Sequence, residues 1–206
     1  PSYNLEKRYI HKDGYYVPVR HKDSEHNIPW TFAKAEIQRL IRSSAKAIFH
    51  NGKFDQELLQ FCGGDPLGEW DNPKAWEDTL ILAYLKNSRA KQKGLKFLSE
   101  TELGMKMIEL EELFPPKTKD LDFSTLDPSD QSVLWYACSD GICTYKLFDV
   151  LYEPVVNPND GIMGQGSIYT IEKGCVAATR WMERPLIQVD VPKTKELIRL
   201  GLREWM

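Results

Sequence analysis

The chain has 206 residues, of which 42% are hydrophobic and 28% charged, and its formal net charge is −3. This length allows one sizeable core, or one domain and part of a second. The weak negative charge excludes general electrostatic adhesion to nucleic acid, so any such binding must come from a local site.

Two further protein classes are disfavoured by the sequence. No apolar run approaches the roughly 18 residues of a membrane span, and no signal peptide is visible. The four cysteines follow no spacing typical of a zinc site. We therefore expect reduced thiols in a cytoplasmic protein.

The first half of the chain predicts strands and helices in alternation. Lys7–Val19 has the alternating pattern of a β-hairpin, with Asp13–Gly14 as its turn. Pro29–Ser43 predicts an amphipathic helix. The segment "KAIFH" predicts a short buried strand, and Lys53–Phe61 a helix that follows it.

The second half predicts mostly helices. The long one is expected beside the functional site at Ser129–Val150. Shorter helices are predicted over residues 77–88, 94–103, 108–114, 167–184 and 192–206, and a strand over 185–191. A loop near Asn157–Gly166 predicts a boundary. We therefore expect one domain over residues 1–156, and a linker with the beginning of another domain over 157–206.

Two segments place a carboxylate where metal chemistry would need it. Asp55 lies in the first turn of a predicted helix, and Asp140 lies four residues after Tyr136 on one face of the long helix. Each also has an ordinary interpretation. An acidic residue favours a helix N-terminus, and an amphipathic helix carries acidic residues on its surface. Phosphodiester hydrolysis by two metal ions requires several such carboxylates to converge.

Taken together, the motifs resemble the 3′–5′ exonuclease superfamily that uses four acidic residues and a tyrosine. The closest similarity is to the proofreading domain of family A, bacterial polymerase I-like DNA polymerases. "HNGKFDQELL" is similar to the second exonuclease motif and "YACSDGICTYKLF" to the third, with "WEDTLILAYLKNS" and "GLKFLSETELG" between them. The tail "IEKGCVAATRWMERPLIQVDVPKTKEL" resembles the passage into the polymerase domain. The resemblance therefore covers essentially the whole chain.

The resemblance implies an α/β, ribonuclease H-like fold, with a mixed central sheet flanked by helices and the acidic site at the edge of the sheet. It implies binding of the single-stranded 3′ end of DNA in bacterial or phage replication. The remainder of the polymerase polypeptide would be a partner of this part.

The resemblance also assigns roles at the metal site. Asp140 would bind the first and Asp55 the second of two Mg²⁺ or Mn²⁺ ions. Tyr136 would orient the attacking water, since a phenol is a poor base at neutral pH. Asp78 is similar in position to a recurrent acidic residue of the family, but we interpret it as a helix cap and not as a ligand.

Further residues are implied in DNA binding. Asn51 would form hydrogen bonds to the terminal nucleotides, and Phe54 would contact them by stacking. The charged turn with Arg89, Lys91 and Gln92 is a candidate phosphate contact, and its alternative is a solvated loop.

One family motif is not found where it is expected. The first motif, an apolar strand with Asp-x-Glu, should precede "YYVPVRH". The pair Asp23 and Glu25 has this spacing, but it follows the strand and lies among polar residues, so we do not expect it to bind metal. We expect the motif upstream of Pro1, in a longer protein. With Asp55 and Asp140 alone, the chain is expected to be a poor nuclease.

Two alternatives remain open. The first is a catalytically inactive exonuclease fold that serves as a structural or DNA-binding module of a polymerase, and the absent first motif supports it. The second is a stand-alone, ribonuclease D-like exoribonuclease, against which the polymerase-like tail argues.

Overall fold

A computed structural model describes residues 9–11, 14–22, 24–43, 46–61, 74–157, 164–183 and 190–204. These residues form a mixed α/β structure that is mostly helical. The strands are β1 (Tyr9–His11), β2 (Gly14–Tyr16), β3 (Ala47–Phe49) and β4 (Trp76–Asp78). The helices are α1 (Trp30–Ser43), α2 (Gly52–Phe61), α3 (Thr79–Lys86), α4 (Leu95–Leu103), α5 (Gln131–Val156), α6 (Gly166–Glu183) and α7 (Val191–Glu204), with 3-10 helices at Leu110–Leu113 and Phe123–Thr125.

The described strands form two small sheets and not the single mixed sheet that was expected. β1 and β2 pair antiparallel, with Tyr9 opposite Tyr16. β3 and β4 pair in parallel, with Phe49 opposite Asp78. Helix α2 lies between β3 and β4 in the chain, because two parallel strands must be joined by a crossover segment. The α/β character of the prediction is confirmed at this coarser level.

Helix α5 packs against both sheets and against α3 and α4. The hairpin approaches this helix very closely, since a Cβ added to Gly14 would lie 2.8 Å from the Cβ of Cys138. At the other end of α5, Leu147, Leu151 and Val155 are buried in the main apolar core. Leu82, Ala83, Leu98 and Tyr169 complete the buried part of that core. Helix α5 therefore packs against the hairpin in its first half and against the main apolar core in its second half.

Helix α6 is anchored by buried charged side chains. Lys173 donates to the backbone oxygen of Trp76 (2.8 Å) and to Glu77 Oε2 (2.9 Å). Arg180, only 1% exposed, donates to Glu57 Oε1 at 2.8 Å. These contacts cross the boundary predicted near residue 157. The division into 1–156 and 157–206 stays a prediction.

Several local predictions differ from the structure. Residues 76–78 form strand β4, whereas a helix was predicted from Glu77. Leu110–Leu113 is a single 3-10 turn with a capping box from Glu109, instead of the predicted α-helix. The predicted strand over 185–191 and the predicted hairpin turn fall largely outside the described residues. The other predicted helices are confirmed within two residues at their ends, except that α5 continues past the predicted end at Val150 to Val156.

None of the described helices combines the length and the apolar character that crossing a bilayer requires.

Candidate functional site

Asp55 and Asp140 line the same open cleft, which has a volume of about 510 Å³. Asp55 comes from the first turn of α2 and Asp140 from the middle of α5. The other lining residues come from β3, the turn that follows it, α2, α4 and α5: Ile48, Phe49, His50, Asn51, Phe54, Leu58, Leu59, Leu95, Gly141 and Thr144. Two carboxylates that are distant in the chain thus face one space.

The turn between β3 and α2 sets the direction of Asp55. Asn51 has a φ of 67°, in the left-handed region that Asn tolerates better than most residues. At Gly52 an added Cβ would lie 2.8 Å from the Cβ of Phe49, so the chain reverses with no room for a side chain. The Asp78 carboxylate accepts hydrogen bonds from the backbone N–H groups of both Asn51 and Gly52, at 3.1 and 2.7 Å.

The electrostatics of the cleft disfavour negative charge on both carboxylates. Burial, followed by the charges of Asp78 and Asp140, raises the pKa of Asp55 to about 6. Partial loss of hydration in the cleft also raises the pKa of Asp140, although this residue remains exposed, and the nearby Lys96 opposes the increase. Carboxylates whose pKa is raised by burial and by like charges are typical of functional sites. A bound cation would relieve the repulsion.

The mouth of the cleft exposes apolar side chains. The Phe54 side chain is 68% exposed and Leu58 is 52% exposed, one helical turn further along α2. Asn51 is exposed beside them. An exposed aromatic ring next to paired carboxylates offers a stacking surface for a nucleobase.

Tyr136 lies beside the cleft and is not among its lining residues. Its ring packs against Phe123, with centroids 5.6 Å apart, and Lys96 Nζ lies 5.6 Å from the ring centroid. Burial and the charge of Asp140 raise the pKa of Tyr136. The hydroxyl therefore stays protonated at neutral pH, near enough to Asp140 to interact with its charge.

The predicted phosphate-binding turn does not line the cleft. Arg89, Lys91 and Gln92 are exposed on the connection between α3 and α4. Lys93 folds back under this turn, where it donates to the backbone oxygen of Ser88 at 3.3 Å and lies over the ring of Tyr84 at 4.1 Å. The structure thus gives the turn a defined anchor while its cationic side chains face solvent.

His50 and Thr79 are site residues for which the sequence predicted no role. His50 Nδ1 lies 2.9 Å from Thr79 Oγ1, and Thr79 donates to the backbone oxygen of Phe49 at 3.1 Å. The direction of the His50–Thr79 hydrogen bond follows from the tautomer of His50, whose ring also has a hydrogen bond with the backbone of Lys93. Burial lowers the pKa of His50. The only local signal was the position of His50, next to the Asn51–Gly52 turn.

Among the residues that the structure describes, Asp55 and Asp140 are the two acidic residues that line this cleft. Within the part of the chain that the structure describes, no group of three or more His, Cys, Asp or Glu side chains is placed to hold a metal ion. Glu25 lines a different surface pocket, together with His26 and Asp127. Asp23 lies outside the described residues. The carboxylate oxygens of Asp55 and Asp140 are the kind of ligand that Mg²⁺ prefers.

A scan against models of known protein families finds no match to this chain, and a search of curated proteins finds none either.

Proposed function

We propose that the cleft is the 3′–5′ exonuclease site of a proofreading domain in a family A DNA polymerase. It binds the single-stranded 3′ end of DNA and hydrolyses the terminal phosphodiester. The observation that carries the proposal is that Asp55 and Asp140 line one cleft, with the exposed ring of Phe54 at its mouth. A ribonuclease H-like arrangement of the complete sheet belongs to the same proposal.

Mg²⁺ or Mn²⁺ is the proposed metal. One such ion is commonly held by one or two carboxylates, with water and substrate phosphate as the other ligands. Asp55 and Asp140 fit that donor set. A second ion requires further carboxylates, for which the proposal expects the Asp-x-Glu strand in the complete protein. When bound, the ions activate water and stabilise the leaving oxygen.

The other residues act by binding and orientation. Phe54 stacks on a terminal base, and the Asn51 amide forms hydrogen bonds at the same position. Tyr136 keeps its phenolic proton, since its pKa is raised, so it orients water by hydrogen bonding and does not abstract a proton. Arg89, Lys91 and Gln92 contact phosphates further along the strand, outside the cleft.

A second candidate function is a polymerase module that binds single-stranded DNA without hydrolysing it. The observation that favours it is the presence of only two acidic metal ligands among the described residues that line the cleft. Both functions require binding of single-stranded DNA, but only the exonuclease hydrolyses it.

Metal binding by this chain is the first test. Mn²⁺ is titrated and free Mn²⁺ is followed by electron paramagnetic resonance. We expect Asp55→Asn and Asp140→Asn each to weaken Mn²⁺ binding at least tenfold. Asp149→Asn is the matched control, because Asp149 is an exposed carboxylate on the same helix as Asp140. Equal Mn²⁺ affinity of the wild type and all three variants would rule out Asp55 and Asp140 as metal ligands.

Hydrolysis is tested in the complete polymerase. Asp140→Ala should abolish 3′–5′ degradation of single-stranded DNA, and Asp149→Ala should leave it intact. Degradation at the wild-type rate in Asp140→Ala would show that the site is wrongly assigned. Binding of single-stranded DNA by a complete wild-type protein that never degrades it would favour the second function.

A further inference from the structure

Asp78 makes more hydrogen bonds than a helix cap requires. Its side chain caps α3 by accepting from the Leu80 N–H at 2.8 Å. The same carboxylate also accepts from the N–H groups of Asn51 (3.1 Å) and Gly52 (2.7 Å), which belong to the start of α2. Asp78 is 2% exposed and is not among the residues that line the cleft. Its carboxylate therefore connects the beginnings of two helices from inside the structure.

These bonds fix the turn that aims the cleft residues. Asn51 has a φ of 67°, a conformation that costs free energy for a residue with a side chain. Two successive N–H groups donate hydrogen bonds to the Asp78 carboxylate and offset that cost, because hydrogen bonds to an ionised acceptor are stronger than neutral ones. Since α2 begins at Gly52, the position of this turn determines where Phe54 and Asp55 point.

The backbone of Asp78 is held from the opposite side by α6. Its N–H donates to the hydroxyl oxygen of Tyr169 at 2.9 Å. Lys173, one turn along α6, donates to the backbone oxygen of Trp76 at 2.8 Å. The end of β4 is thus hydrogen-bonded to α6, which the sequence analysis assigned to the region after the exonuclease domain.

We propose that Asp78 is a positioning residue that couples α6 to the nucleic-acid cleft by holding the Asn51–Gly52 turn. The role of the cleft in this inference rests on the proposed function. The coupling itself rests only on the hydrogen bonds described above. Asp78 acts through Asn51, Phe54 and Asp55 and does not touch DNA.

The test is Asp78→Ser, with Asp130→Ser as matched control. A serine hydroxyl still caps α3 at Leu80 but is too short to reach the second helix. Asp130 is likewise an N-cap, accepting from the Ser132 N–H at 2.7 Å at the start of α5. Amide hydrogen exchange is measured residue by residue, and binding of a labelled oligothymidylate is measured by fluorescence anisotropy without metal.

In Asp78→Ser we expect exchange at the Asn51 and Gly52 amides to become at least tenfold faster, while Leu80 keeps most of its protection. Oligothymidylate affinity should fall about fivefold or more. Asp130→Ser should change neither quantity. Unchanged exchange at Asn51 and Gly52 in folded Asp78→Ser would overturn the inference.

Asp78→Asn serves if the serine variant does not fold. It is isosteric, but one carboxylate oxygen becomes an amide nitrogen that cannot accept, so at least one of the two turn amides must lose its partner. Faster exchange at either amide supports the inference, and wild-type exchange at both overturns it. If the wild-type chain does not bind oligothymidylate, the proposed function fails, while amide exchange still decides the positioning role.

Discussion

Asp55 and Asp140 line one cleft, although Asp55 lies in the first turn of α2 and Asp140 in the middle of α5. Burial is the largest cause of the raised pKa of Asp55, which is about 6, and the charges of Asp78 and Asp140 add to it. Without a cation, the charge of Asp140 therefore adds to the burial and the charge of Asp78 that disfavour ionised Asp55.

Asp140→Asn should lower the pKa of Asp55 below about 6. The neutral amide removes one of the like charges that disfavour ionised Asp55. The measurement is a carboxyl-detected NMR titration without divalent metal. Asp130→Asn is the control, since Asp130 is exposed at the start of α5 and should leave the pKa of Asp55 unchanged. An unaltered Asp55 pKa in Asp140→Asn would show that Asp140 does not lie close enough to Asp55 to affect its ionisation.

Asp55→Asn should stabilise the metal-free chain at pH 7. Because the folded-state pKa is about 6 and the ordinary value is 3.8, the native state binds more protons than the unfolded state between about pH 4 and 6. The free energy of unfolding of the wild type therefore falls as pH rises through that window. The full difference corresponds to about 3 kcal/mol. Solvent screening of this partly exposed group reduces the expected gain to about 1 kcal/mol.

Urea unfolding of wild type and Asp55→Asn at pH 4 and pH 7 checks this prediction. The variant should be the more stable protein at pH 7, and its advantage should disappear at pH 4, where wild-type Asp55 is protonated. An equal stability difference at both pH values would show that Asp55 ionisation is not its cause.

Phe54→Ala should weaken binding of single-stranded DNA by about 1–3 kcal/mol, the usual contribution of one base stacked on an aromatic ring. Fluorescence anisotropy with oligothymidylate at low salt measures the effect. Phe97→Ala is the control, because Phe97 is also exposed (41%) but does not line the cleft. Equal affinity of the two variants would argue against Phe54 as the stacking surface.

Asn51→Ala should be less stable than Asn51→Gly by about 1 kcal/mol, because alanine pays the full cost of the left-handed conformation and glycine does not. The φ of 67° at this position is the basis of the prediction. Urea unfolding provides the comparison. A more stable alanine variant would show that residue 51 does not adopt this conformation in solution.

Arg180→Met should destabilise the protein by about 2 kcal/mol, since it removes a buried guanidinium (1% exposed) that hydrogen-bonds to the partly exposed Glu57 (39%) and to two glutamines. Arg180 donates to Glu57, Gln56 and Gln60 of α2, at 2.8, 3.3 and 2.7 Å. Arg39→Met is the control, because its ion pair with Glu36 is largely exposed and should contribute less than about 1 kcal/mol. A similar, small loss in both variants would mean that α6 does not stabilise the body that carries the cleft.

The sequence predicted the elements whose signals are local. Helices α2 and α5 are confirmed, because the spacing of apolar side chains that predicts a helix is a local property of the sequence. Strand β4 was missed for a corresponding reason. It carries Glu77 and Asp78, which look exposed in sequence, and their burial depends on partners from distant segments: Lys46, Lys173 and the Asn51–Gly52 turn.

Local sequence patterns were enough to predict that Asp55 lies in the first turn of a helix, that Tyr136 and Asp140 share a helical face, and that Asp78 caps α3. Long-range packing was needed to learn that Asp55 and Asp140 line one cleft, that Tyr136 does not line it, and that Asp78 also accepts hydrogen bonds from Asn51 and Gly52. Caps and periodicity act within one or two turns of chain. The contacts that form the site connect β3, β4, α5 and α6, which are distant in the chain. These contacts depend on the burial and hydrogen bonding that bring the elements together.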